Sequence, residues 1–238
     1  MAVGDFLKKT RLYIFLMSFM LVVWDMYVFR PISAVSMFVH EIGRNFVAFL
    51  FDRSFAVFSI TLDKSVYSTR FANGWFSSFV IANSGYVMSL LFAILMLRVK
   101  DKRVCRYMLG LMVSLILVSL VYMKNTETSF LHLIIFLIIV VVLHMLDNDK
   151  IFEYAADIIG VSSIVYCVHE TLVNDILPVV VNKFGILKNL VAYGKSTTDS
   201  EILCNITGIP VVVWGIFWFL VSLFVMVFCM SAKRIRKY

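Results

Sequence analysis

Apolar residues recur along this chain in seven long blocks separated by short clusters of charge. The blocks run Leu12–Phe29, Pro31–Phe51, Trp75–Leu97, Tyr107–Met123, Phe130–Met145, Ile151–Leu172 and Val211–Met230. A bilayer's hydrocarbon core, about 30 Å thick, is crossed by about 20 residues of α-helix, so blocks of this length read as membrane spans. Arg30-Pro31 separates the first two, with proline preset for the first turn of the next helix. Between the second and third blocks the period changes. Phe58-Ser59-Ile60-Thr61-Leu62-Asp63 alternates apolar and polar positions, and Val66-Tyr67-Ser68-Thr69 supplies a return partner across Asp63-Lys64, which predicts a short β-hairpin. The expected fold is an all-α polytopic membrane protein of about seven transmembrane helices, with a β-hairpin after helix two and one membrane-embedded domain over residues 1–238.

Composition agrees with the pattern. With 61% hydrophobic residues, 16% charged residues and a mean hydropathy of +0.92, a soluble domain is excluded and a multi-pass integral membrane location is expected. The net charge of +7 gathers beside the spans, at Lys8, Lys9 and Arg11, from Arg98 to Arg106, and in the tail Lys233-Arg234-Ile235-Arg236-Lys237. Clusters so placed address the anionic headgroups of a lipid bilayer and not nucleic acid. The last two clusters lie four spans apart, so both can be cytoplasmic; three spans before the first of them would then put the N-terminus outside, which Lys8, Lys9 and Arg11 oppose, so the expectation is a cytoplasmic C-terminus with the N-terminus left open. The basic start reads as preceding a retained helix, because no small-residue cleavage site follows the first block. Cys105, Cys167, Cys204 and Cys229 show no CxxC spacing and suggest neither a disulfide framework nor a thiolate zinc site.

The candidate chemistry lies in the second block, at His40-Glu41-Ile42-Gly43-Arg44-Asn45. In an HExxH helix two histidines at i and i+4 share a face and bind zinc, and the glutamate beside the first acts as general base. Here Arg44 stands at the second histidine position, and a guanidinium has no free lone pair to give a metal. His40 lies roughly 14 Å below the start of its helix, at membrane depth, where ionisable groups are costly and are either functional or paired. Arg44 neutralising Glu41 at i+3, as simple helix glue, is the alternative reading. A second set of ligand-type residues, His169 and Glu170, ends the sixth block, with Asn174 and Asp175 following. The polar connection before the last block adds Asp199 and Glu201. Ala82-Asn83-Ser84-Gly85-Tyr86 suits close helix contact.

These segments, taken in order, resemble the B branch of the site-2 protease family of membrane zinc metallopeptidases. Val39-His40-Glu41-Ile42-Gly43 resembles that family's HE-x-G-H helix, and Ser59-Ile60-Thr61-Leu62 the strand after it. Ile81-Ala82-Asn83-Ser84-Gly85-Tyr86 is similar to its small-residue Gly-Tyr helix, and Tyr166-Cys167-Val168-His169-Glu170 to the segment carrying its distal Asp. Thr198-Asp199-Ser200, Thr207-Gly208-Ile209-Pro210 and Trp214-Gly215 resemble its Ser-Asp-Ala, Thr-Gly-Ile-Pro and Trp-Gly ending, so the likeness covers about residues 12 to 230.

The resemblance implies His40 as a zinc ligand, Glu41 as general base, and Glu170 or Asp199 as the distal acidic ligand. Arg44 departs from the family pattern, and so does Glu170 where Asp is expected. Together they suggest that a fixed guanidinium replaces the metal's charge and holds Glu41 and Glu170. Three functions are therefore weighed. The first is a catalytically degenerate relative that binds transmembrane protein segments. The second is an active intramembrane zinc endopeptidase with ligands recruited from His40, His169, and Glu170 or Asp199. The third is a small-molecule or ion carrier using Asp25, Arg44 and Glu170 as intramembrane charges.

Overall fold

The computed structural model describes residues 3–52, 74–98, 102–122, 127–146, 148–184 and 198–231. Helix α1 spans Val3–Val23 and leads through a single 3-10 turn, Tyr27–Phe29, into α2 at Arg30–Asp52. Then follow α3 (Trp75–Arg98), α4 (Lys102–Tyr122), α5 (Glu127–Leu146) and α6 (Asp149–His169). The last runs on through a wide π-helical turn, Glu170–Ile176, into α7 (Leu177–Phe184). Short α8 (Asp199–Thr207) and long α9 (Val211–Ser231) complete the fold. The predicted hairpin lies outside the described residues, and among the described residues every element is helical.

Four helical stretches are long and apolar enough to cross a membrane: Tyr27–Phe51, Trp75–Arg98, Lys150–Val181 and Val211–Ser231. Of the seven expected spans, four are found in this way among the described residues. The other three segments contribute shorter apolar helices, Tyr13–Val23, Val104–Leu120 and Leu131–Leu146.

The sixth block forms the centre. Val161, Ser162, Ser163, Ile164, Val165 and Cys167 of α6 are all completely buried, and α6 packs against α1, α2, α3, α4 and α9. Such burial on every side explains why this span carries no lipid-facing stripe, whereas Leu220, Phe224 and Val227 of α9 are exposed as lipid-facing residues would be. One buried hydrogen bond, Ser36 Oγ to Ser162 Oγ at 2.9 Å, joins α2 to α6.

The approach of α2 to α3 depends on small residues. A Cβ on Gly43 would lie 2.4 Å from Met88 Cβ and 2.9 Å from the Ser84 carbonyl oxygen. A Cβ on Gly85 would lie 2.3 Å from His40 Nε2. The wide turn after α6 precedes Pro178, which has no N–H to offer the preceding turn and whose ring crowds it. Helix α8 is fixed at both ends: Thr198 Oγ1 accepts from Glu201 N at 3.1 Å, and Gly208 stops the helix at φ +73°. That places Asp199, its first residue, against α2.

Candidate functional site

His40 projects from α2 into the middle of the bundle and is 2% exposed. Its ring fills the space left by Gly85 and stands edge-on to two tyrosines, with centroids 5.0 Å from Tyr86 and 5.2 Å from Tyr166. Nε2 lies 2.8 Å from Oδ2 of Asp199, across 159 residues of chain. One helical turn on, Arg44 Nη1 donates to Glu41 Oε1 at 3.1 Å, and Arg44 Nε lies 3.3 Å from Asp199 Oδ1. The two oxygens of one carboxylate are thus divided between an imidazole and a guanidinium. All four side chains are largely withdrawn from solvent.

The charge state of Asp199 follows from its neighbours. Burial by itself would push its carboxyl upward, but the Arg44 guanidinium and the hydrogen bond and charge of His40 overcome this and hold it below the usual carboxylate range. Asp199 is therefore ionised, and Arg44–Asp199 is a true ion pair inside the bundle. The i, i+3 pairing of Glu41 with Arg44 is present as well. The Glu41 contact is the i, i+3 pairing of the helix-glue reading; the charge-replacement reading paired Arg44 with Glu41 and Glu170, whereas the carboxylate 3.3 Å from Arg44 Nε is that of Asp199.

The remaining candidates are distributed differently. Asp199, and not Glu170, is the acidic residue that hydrogen-bonds to His40. Glu170 opens the wide turn and is half-buried. His169 turns toward α1, with Nε2 3.7 Å from Asp25 Oδ2 and its ring 5.9 Å from Trp24. Neighbours on a helix point about 100° apart, so His169 and Glu170 do not share a direction. Among the described residues, no group of three or more His, Cys, Asp or Glu side chains is gathered as a metal site would require.

Two features escaped the sequence reading. Tyr86 and Tyr166 enclose the His40 ring, and the signal for Tyr86 was its place after the glycine that admits that ring. Asp175, in the wide turn, accepts a hydrogen bond from Ser200 Oγ at 2.5 Å, next to Asp199 in sequence. An apolar groove of about 540 Å³ opens beside this region, lined by Phe79, Asn83, Val213, Trp214, Phe217 and Trp218 of α3 and α9. Trp218 stacks on Tyr86 at 4.9 Å, so the groove's inner wall abuts the ring that packs on His40.

The fold and site define a class: a helical protein of the membrane with an ionised centre built on the intramembrane His40-Glu41 helix. Across residues 13–229 the chain matches the sequence model of the family described as Peptidase M50B-like, and it belongs to that family. No curated protein and no solved structure matches it.

Zinc is the metal that this family implies, and the donor set can be tested against it. A catalytic zinc takes three protein ligands and a water. Here the i+4 donor is replaced by a guanidinium in contact with both Glu41 and Asp199, the groups that would serve as base and ligand. A fixed positive charge against the donor carboxylate opposes a second cation at the same place. The residues of this centre do not fit a zinc site.

Proposed function

We propose that this chain is a non-proteolytic member of the Peptidase M50B-like family, which uses the scaffold to bind transmembrane segments of other membrane proteins. The observation that carries the reading is Arg44. It stands where the second histidine of the motif belongs, and its guanidinium lies 3.1 Å from Glu41 and 3.3 Å from Asp199. A glutamate held this way is committed to a cation and has no metal-bound water to deprotonate. What remains is an apolar groove with aromatic walls suited to packing against a helix. In this reading α1, α4 and α5 also lie within the bilayer, completing a seven-pass bundle.

The test is the zinc content of detergent-purified protein beside that of an Arg44→His variant. The expected result is a native protein without stoichiometric zinc and a variant that gains about one zinc per chain through His40 and the restored i+4 histidine. A native protein carrying zinc that is lost in His40→Ala would refute the proposal and justify a protease assay.

A further inference from the structure

Two basic stretches remote in sequence meet at one end of the bundle. Arg98, the last residue of α3, lays its guanidinium over Phe228 near the end of α9, with Cζ 4.8 Å from the ring centroid. Two residues beyond Ser231, where α9 stops, the sequence runs into Lys233-Arg234-Ile235-Arg236-Lys237. Arg106, in the second turn of α4, covers Phe152 at the start of α6 at 4.9 Å, and His144 at the end of α5 meets the same ring at 5.0 Å. The ends of α3, α4, α5, α6 and α9 therefore gather here. Residues 98–106, 146–160 and 231–238 hold ten of the 22 Lys and Arg and five of the 15 Asp and Glu, so they carry five of the seven net positive charges.

Within this surplus Arg98 is held in place. It is half-buried, its Nε is enclosed without a hydrogen-bond partner, and among the described residues no carboxylate lies within ion-pair distance of it. Stacking on Phe228 fixes the plane of the guanidinium. The two Nη nitrogens are neither enclosed nor paired, and they present a planar fork of donors. The negative dipole ends of α3 and α9 would welcome any cation here, but they do not call for a fork. Two oxygens of one phosphate do match it. Phe228 is 40% exposed and stacks with Phe224, one turn earlier and 69% exposed, so an apolar aromatic surface runs from Arg98 along the outside of α9. A phosphate joined to a hydrocarbon chain fits both features. We propose that Arg98 and Phe228 form a binding site for an anionic phospholipid, with its phosphate on the Arg98 fork and an acyl chain along Phe228 and Phe224. The surrounding Lys and Arg favour an anionic headgroup over a zwitterionic one. The site goes beyond the partner-binding reading and does not depend on it.

Native mass spectrometry of the detergent-purified chain, titrated with phosphatidylglycerol or with phosphatidylcholine, tests the site. One phosphatidylglycerol is expected to bind about tenfold more tightly than phosphatidylcholine. Arg98→Gln should weaken phosphatidylglycerol about tenfold. Arg98→Lys keeps the charge but loses the fork, and should weaken it about threefold. Lys150→Gln removes an exposed cation from the same end and should weaken it by less than about twofold. Should Arg98→Gln fail to fold, Arg98→Lys decides the matter alone. The proposal is overturned if the native protein binds the two lipids equally, or if a folded Arg98 variant binds phosphatidylglycerol as the native protein does. It is equally overturned if Lys150→Gln costs as much as Arg98→Gln, the mark of diffuse attraction, or if inorganic phosphate at equal concentration displaces the lipid.

Discussion

Replacing Arg44 with methionine keeps the length of the side chain and removes the charge that organises the centre. The guanidinium side chain is 8% exposed, and the carboxylates it meets are 12% (Glu41) and 4% (Asp199) exposed. After the change Asp199 keeps its bond to His40 but loses its permanently charged partner, and Glu41 loses its i+3 cation. Removing one member of a buried pair costs about 3–5 kcal/mol, and the bond that His40 retains argues for the lower end. The i, i+3 pair adds only about 0.2–0.5 kcal/mol. A loss of about 3 kcal/mol lowers Tm by about 6–12 °C in a chain of this size. A thiol-reactive dye reports it, because Cys105, Cys167 and Cys229 are buried and become reactive on unfolding. The double variant Arg44→Met/Asp199→Asn removes both charges together and should recover at least half of the loss, a non-additivity typical of groups in one network. Arg44→Met melting within about 1 °C of the native protein would refute the reasoning, as would a double variant equal to the sum of the singles.

Three further expectations follow from close contacts. Gly85→Ala puts a methyl group 2.3 Å from His40 Nε2, the atom bonded to Asp199, and should cost about 1–3 kcal/mol. Because the cost includes that bond, Gly85→Ala combined with Asp199→Asn should lower Tm by less than the two losses added. Gly43→Ala forces α2 from the α3 backbone and should reduce the monodisperse fraction in size-exclusion chromatography, whereas Gly110→Ala, with nothing within 4 Å, should elute as the native protein does and melt no lower. Ser162→Ala removes the α2–α6 bond but leaves Ser36 its bond to the Ile32 carbonyl, so the loss should be about 0.6 kcal/mol, or about 1–2 °C in Tm.

Much of this protein is written locally. Hydropathy alone places it in a membrane, because unpaired backbone and charge are so costly in hydrocarbon that spans must be long, apolar and helical. The pairing of Glu41 with Arg44 is equally local, since residues three apart on a helix are neighbours wherever that helix lies. Arg44's inability to bind metal is a property of the guanidinium and needs no structure.

The choice of distal partner is of another kind. The sequence offers Glu170 in the place of the distal acidic residue, with Asp199 as the other candidate and His169 as a further ligand-type residue, all far along the chain from His40. Only the fold ranks them. Helical rotation turns His169 toward Asp25, while the caps of α8 aim Asp199 at His40 and Arg44. Asp175 depends on tertiary structure still more, since its environment is made by Ser200, by the space at Gly215 and by the widened turn that carries it. Short-range periodicity determines which residues share a helix face. Contacts across 159 residues depend on how whole helices pack, and those decided which charges met.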